Sequence, residues 1–93
     1  MPLSFEWDPA KAATNLAKHG ISFESAATAF GDPRSLVIPD PAHSQIENRF
    51  ILLGQTSQGL MVVVVHVERG DRIRLISARR ASRKERNMYA QTP

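Results

Sequence analysis

Residues 60–86 read LMVVVVHVERGDRIRLISARRASRKER, and three elements can be parsed from them. The first nine positions are apolar almost throughout, with no helical period that would leave one face to water. Such a run suits a central strand covered twice, or once by helices and once by a partner. Glu68-Arg69-Gly70-Asp71 carries turn chemistry, so residues 72–79 return as the antiparallel neighbour. Ser82 and Glu85 stand in the Ser-x-x-Glu spacing of a capping box, which opens a last helix containing Met88 and Tyr89. With Arg69-Gly70 as the two-residue turn, Arg74 falls opposite Val65, Ser77 opposite Val62 and Arg79 opposite Leu60. Alternation along the strand then puts Arg72 and Arg74 on one sheet face, and Ser77 and Arg79 on the other.

Upstream, the pattern is first helical and then extended. Asp8 is a good N-cap, Pro9 suits the first helical position and Gly20 ends the helix, with Ala13, Leu16 and Ala17 as a thin apolar stripe. Ser22 caps a second helix whose Phe23, Ala26, Ala27 and Phe30 repeat at helical spacing. Gly31-Asp32-Pro33 stops it. SLVIP is a short strand, PDPAHSQ a loop that carries Asp40 and His43, and ENRFILLG a strand with Arg49, Ile51 and Leu53 on one side. The predicted order is β-α-α-β-β-β-β-α, with residues 1–93 forming one domain. That is an α+β fold: a small antiparallel meander with two N-terminal helices and one C-terminal helix.

Composition narrows the function. The 93 residues contain no cysteine, which excludes disulfides and thiolate metal sites and fits a cytoplasmic setting. The longest apolar run is far short of the roughly 20 residues of a membrane helix, and no secretory signal precedes Phe5. The net charge of +3 hides an asymmetry: eight of the twelve basic residues lie at Arg69 or beyond, all of them arginine except Lys84. Guanidinium groups match phosphate and carboxylate geometry, so an anionic partner is expected, either nucleic acid or an acidic protein. A solvated basic face is the plainer alternative.

No metal-ligand spacing, phosphate-binding glycine loop, G-x-S-x-G or cysteine nucleophile is present. What remains suits cleavage of RNA, which carries its own nucleophile in the 2′-hydroxyl and needs only proton transfer and cations. His43, His19 and Glu47 can move protons; Arg49, Arg74 and Arg79 can stabilise charge; Trp7 and Tyr89 can stack on bases. Each has a structural alternative. His19 can bind the last carbonyls of its helix, His66 ends an apolar strand, Glu47 and Arg49 can pair with neighbouring strands, and Trp7 and Tyr89 can pack in the core.

Three strings resemble the BrnT family of type II toxins: FEWDPAKAATNLAKHGISFESAATAF, the spaced set Asp40, His43, Glu47 and Arg49, and IRLISARRASRKERNMY. They cover nearly all of the chain, from Phe5 to Tyr89. The resemblance implies a RelE/ParE-like fold with helices on one face of the sheet, and a ribonuclease that arrests growth. It implies no cofactor. The expected partners are an RNA substrate and a BrnA-like ribbon-helix-helix antitoxin, with operator DNA reached through that antitoxin. By motif position it assigns Arg74, Ser77, Arg79, His43 and Glu47 to catalysis. Trp7, Arg49, Arg80, Arg83 and Tyr89 are assigned to substrate binding. Two other readings use the same basic surface: a non-catalytic nucleic-acid-binding module, and an antitoxin-binding co-repressor. A gyrase poison of the ParE kind is a third.

Overall fold

The computed structural model describes residues 3–42 and 48–91, and its elements follow the anticipated order. They are β1 (Ser4–Glu6), α1 (Pro9–His19), α2 (Phe23–Ala27) continued by a 3₁₀ turn (Thr28–Gly31), β2 (Leu36–Pro39), β3 (Arg49–Gln55), β4 (Met61–Arg69), β5 (Arg72–Arg80) and α3 (Arg83–Ala90). The predicted caps are in place. Asp8 Oδ1 accepts from Ala10 N at 2.8 Å, Ser22 Oγ accepts from Ser25 N at 3.0 Å, and Gly20 closes α1 at φ 72°. Ser82 and Glu85 form both bonds of the capping box.

The sheet is mixed, not the pure antiparallel meander expected. Its strand order is β1-β5-β4-β3-β2, and β1 lies parallel to β5, with Phe5 opposite Ile73 and Glu6 opposite Arg74. A three-residue edge strand leaves no signature of its partner in the sequence, so only the meander was legible.

The β4–β5 hairpin turns at Gly70-Asp71, one position later than expected, with Arg69 opposite Arg72. The register then slips: His66 faces Leu75 but Val65 faces Ser77, so Ile76 is the extra residue of a β-bulge. That residue overturns the expected split of the basic side chains. Before the bulge Ile73 and Leu75 point to one face; after it Ala78 points to that same face. Arg72, Arg74, Ser77 and Arg79 therefore share the opposite one.

Helices cover both faces, not one. Phe23, Ala26, Leu52, Val62, Val64, Leu75 and Ala78 form the larger core beneath α1 and α2. Leu53, Val63, Ala81 and Tyr89 form a smaller one beneath α3. This accounts for the doubly apolar β4, whose neighbouring valines enter different cores. α3 is short and lies over the β2–β3 side, where Glu85 and Met88 close an apolar cleft against Leu36, Ile38, Ile51, Leu53 and Val63. Among the described residues, no helix lies over the β5 side of this face.

Beyond Glu6 the outer edge of β5 would lack a partner, and Asn15 of α1 supplies one. Its side-chain amide donates to Ala78 O at 2.8 Å and accepts from Ala78 N at 3.0 Å, as a neighbouring strand would. It also donates to Ile21 O at 3.0 Å. Asn15, not the expected stripe, is the buried residue of α1, and Leu16 is half exposed. Asn15→Ala leaves three buried backbone groups without partners and should cost about 2–4 kcal/mol. Urea unfolding measures this, and a loss below about 1 kcal/mol would contradict the role.

His66 is buried on the α1–α2 face, edge-to-face with Phe30 at 4.8 Å and stacked with Phe50 at 6.0 Å. Burial pushes its pKa down, outweighing the Val64 carbonyl and the Glu68 charge, which raise it. A histidine kept neutral in the fold binds fewer protons than in the unfolded chain. Stability is therefore fully present above about pH 6.5 and declines as pH falls below it, by up to about 1.4 kcal/mol per unit. The melting temperature should drop between pH 7 and 5, and His66→Phe should flatten that slope. Equal slopes for the two proteins would refute this.

Candidate functional site

The bulge builds a basic surface in rows across the sheet. The first row is Glu6, Arg74, Val67 and Arg49, each opposite the next on neighbouring strands. The second is Ser77, Val65 and Ile51; the third is Arg79, Val63 and Leu53. Neighbours within a row are about 5 Å apart. The β4 partners of Arg74 and Arg79, Val67 and Val63, are four positions apart, so the backbones of these two arginines stand about 13 Å apart along the strand. A ligand touching both is extended, or draws the two long side chains together over Ser77.

Carboxylates hold the arginines in place. Arg74 reaches Glu6 at 3.1 Å and Arg72 reaches the same carboxylate at 3.5 Å. The Arg74 guanidinium is the chief cause of a lowered Glu6 pKa, so Glu6 is a carboxylate at neutral pH. Arg79 donates through both terminal nitrogens to Glu85, each at 2.8 Å, and from one of them to Arg80 O at 3.2 Å. Glu85 Oε1 also accepts from Ser82 N at 2.8 Å, so one side chain caps α3 and orients Arg79. Arg79 holds the Glu85 carboxyl down at about 2, and Glu85 raises the Arg79 pKa in return. Partly exposed pairs of this kind stabilise a fold by at most about 1 kcal/mol. Orientation is their larger effect.

The other candidates lie elsewhere. Arg80 pairs with Val62 and faces the α1–α2 side, away from Arg79, and Arg83 is exposed on the first turn of α3. Trp7 stacks edge-to-face on Phe23 at 5.9 Å and belongs to the larger core. The Tyr89 hydroxyl donates to Asp32 Oδ2 at 2.6 Å, and Arg34 lies over its ring at 5.6 Å. Asp32 Oδ2 also accepts from Gln55 N, which ties the end of α3 to the loop before β2. His43 and Glu47 lie outside the described residues. Asp40, just after β2, is buried and caps Ala42 N at 3.0 Å.

Sequence reasoning missed Glu6, Asn15 and Lys11. Glu6 sat in the quoted FEWD string, but its role depends on a parallel pairing the sequence does not display. Asn15 had a faint signal, because asparagine is a poor choice inside a helix unless its amide is used. Lys11 lines an open cleft with Thr14, Lys18, His19 and Ser77 where α1 meets β5. Among the described residues, no three histidines or carboxylates gather as a metal site. No helix there is long and apolar enough to cross a membrane.

Comparison with known proteins places this geometry. The crystal structure of the Brucella abortus ribonuclease toxin BrnT superposes with a TM-score of 0.68 at 26% identity, covering 88% of this chain and 100% of that one. No curated protein sequence matches. Residues 7–85 match the profile of the family described as the ribonuclease toxin, BrnT, of type II toxin–antitoxin system. The chain belongs to the BrnT family of ribonuclease toxins, whose type II systems pair each toxin with an antitoxin.

Proposed function

We propose that this protein cuts RNA without a metal ion, on the β5 side of the arginine-bearing face. The observation that carries this reading is the shared orientation of Arg49, Arg74, Ser77 and Arg79 after the bulge at Ile76. In this reading the 2′-hydroxyl attacks the adjacent phosphorus and the 5′-oxygen leaves, giving a 2′,3′-cyclic phosphate and a 5′-hydroxyl. Arg74 and Arg79 stabilise charge on the phosphoryl oxygens, Ser77 donates a hydrogen bond, and Arg49 extends the footprint. Proton transfer falls to His43 and Glu47, which precede Arg49 in the sequence. In this reading Trp7 and Tyr89 serve packing, through Phe23 and Asp32, rather than base stacking.

The inhibitory partner in this reading is a BrnA-like ribbon-helix-helix antitoxin. It covers the arginine face and carries the toxin to operator DNA, and the work on RNA takes place in the cytoplasm. These points rest on the family resemblance and on the positive charge of the uncovered surface.

One feature favours a second reading. Glu6 and Glu85 already occupy Arg74 and Arg79, as would suit a binding module or co-repressor that does no chemistry. Labelled single-stranded RNA incubated with the protein in excess EDTA separates the two. Cleavage to cyclic-phosphate ends is expected, reduced about 100-fold or more in Arg74→Ala and Arg79→Ala. A folded wild type that binds RNA and leaves it intact, with and without ribosomes, would contradict the ribonuclease reading.

A further inference from the structure

The cleft between α1 and β5 differs from the arginine rows in one electrostatic respect. Arg72, Arg74 and Arg79 are each engaged by a carboxylate, whereas Lys11 and Lys18 are exposed and form no ion pair among the described residues. Among the described residues no carboxylate lines this cleft; Thr14, His19 and Ser77 complete its polar wall. It thus gathers two unneutralised ammonium groups and two hydroxyls in an open space of about 330 Å³.

Its construction follows from features already described. Lys11, Thr14 and Lys18 recur at i, i+3 and i+7, so they share one side of α1. The Asn15 amide fixes that helix against Ala78. The bulge brings Ser77 to the arginine face, midway between the rows of Arg74 and Arg79, on the strand edge that β1 has left free. The cleft therefore opens onto the same face at its outer margin.

We propose that this cleft binds a backbone phosphate of RNA, beside the arginine rows, so that α1 forms the second wall of the RNA path. The proposal rests on the ribonuclease reading for its choice of ligand. Ammonium groups suit such a place, because a lysine offers a point charge that holds a phosphate in many orientations. Lys11 and Lys18 then contribute to affinity and not to the chemical step.

The test is binding of a 2′-O-methyl RNA, which cannot be cut, measured by fluorescence anisotropy across a salt series. For single strands each phosphate contact adds about 0.7 to the slope of log K against log salt. Lys11→Ala/Lys18→Ala should lower that slope by about 0.7–1.4 and weaken binding severalfold. Arg34→Ala/Lys84→Ala removes the same charge away from the cleft and the arginine rows and should change it less. Circular dichroism confirms that each variant is folded. On cleavable RNA the lysine variant should raise KM with kcat unchanged.

Equal losses in the two double variants would overturn the proposal, reducing the effect to net charge while leaving any observed cleavage in place. A lysine-specific loss of binding in a protein that cuts nothing would keep the cleft and remove the ribonuclease reading. Inorganic phosphate that displaces the RNA at micromolar concentration would mark the cleft as a free-anion site and also overturn the assignment.

Discussion

A β-bulge at Ile76 holds β5 in two registers against β4, with Leu75 opposite His66 on one side of it and Ser77 opposite Val65 on the other. Most of the surface chemistry depends on that one extra residue. In an unbroken strand, Arg79 would point into the helix-covered core while Ala78 faced outward. With the bulge, Ala78 fills the core and meets Asn15, and Arg79 joins Arg74 on the open face. A guanidinium buried without a partner would cost several kcal/mol, so the hydrophobic pattern and the bulge enforce one another.

The open face is charged on both sides of the balance. Glu6 and Glu85 do not cancel the basic character of the C-terminal half; they fix where its guanidinium groups sit. Glu85 shows the economy of the arrangement, since one carboxylate closes the capping box of α3 and grips Arg79 through two bonds. In the proposed function, a phosphate arriving at either end meets arginines that are already oriented, which reduces the ordering cost of binding. It must also share those arginines with a resident carboxylate. The lysines of the α1 cleft carry no such competitor among the described residues, and the proposal gives them the recruiting of RNA on that ground.

What could be read from the sequence was local. Asp8, Ser22, Gly20 and the Ser82–Glu85 pair act through bonds to near neighbours, and each end they mark is where the structure has it. The doubly apolar β4 correctly announced two covered faces, and His66 proved structural as its setting implied. The rest needed partners distant in sequence. No glycine or proline marks the bulge at Ile76, so the faces of Ser77 and Arg79 were misread from strict alternation. The parallel pairing of β1, the passage of α3 to the other face and the edge-pairing by Asn15 all join residues far apart in the chain. For the candidate site, the residue types were legible and the family strings pointed to them, but their convergence on one surface was not.

The shared face is the central claim, and backbone amide mapping by NMR with a 2′-O-methyl RNA addresses it most directly. Shifts concentrated at Glu6, Arg74, Ser77, Arg79, Val65 and Val67 are predicted. Shifts concentrated instead around Trp7, Phe23 and Arg80 would place RNA on the opposite side of the sheet and contradict the account.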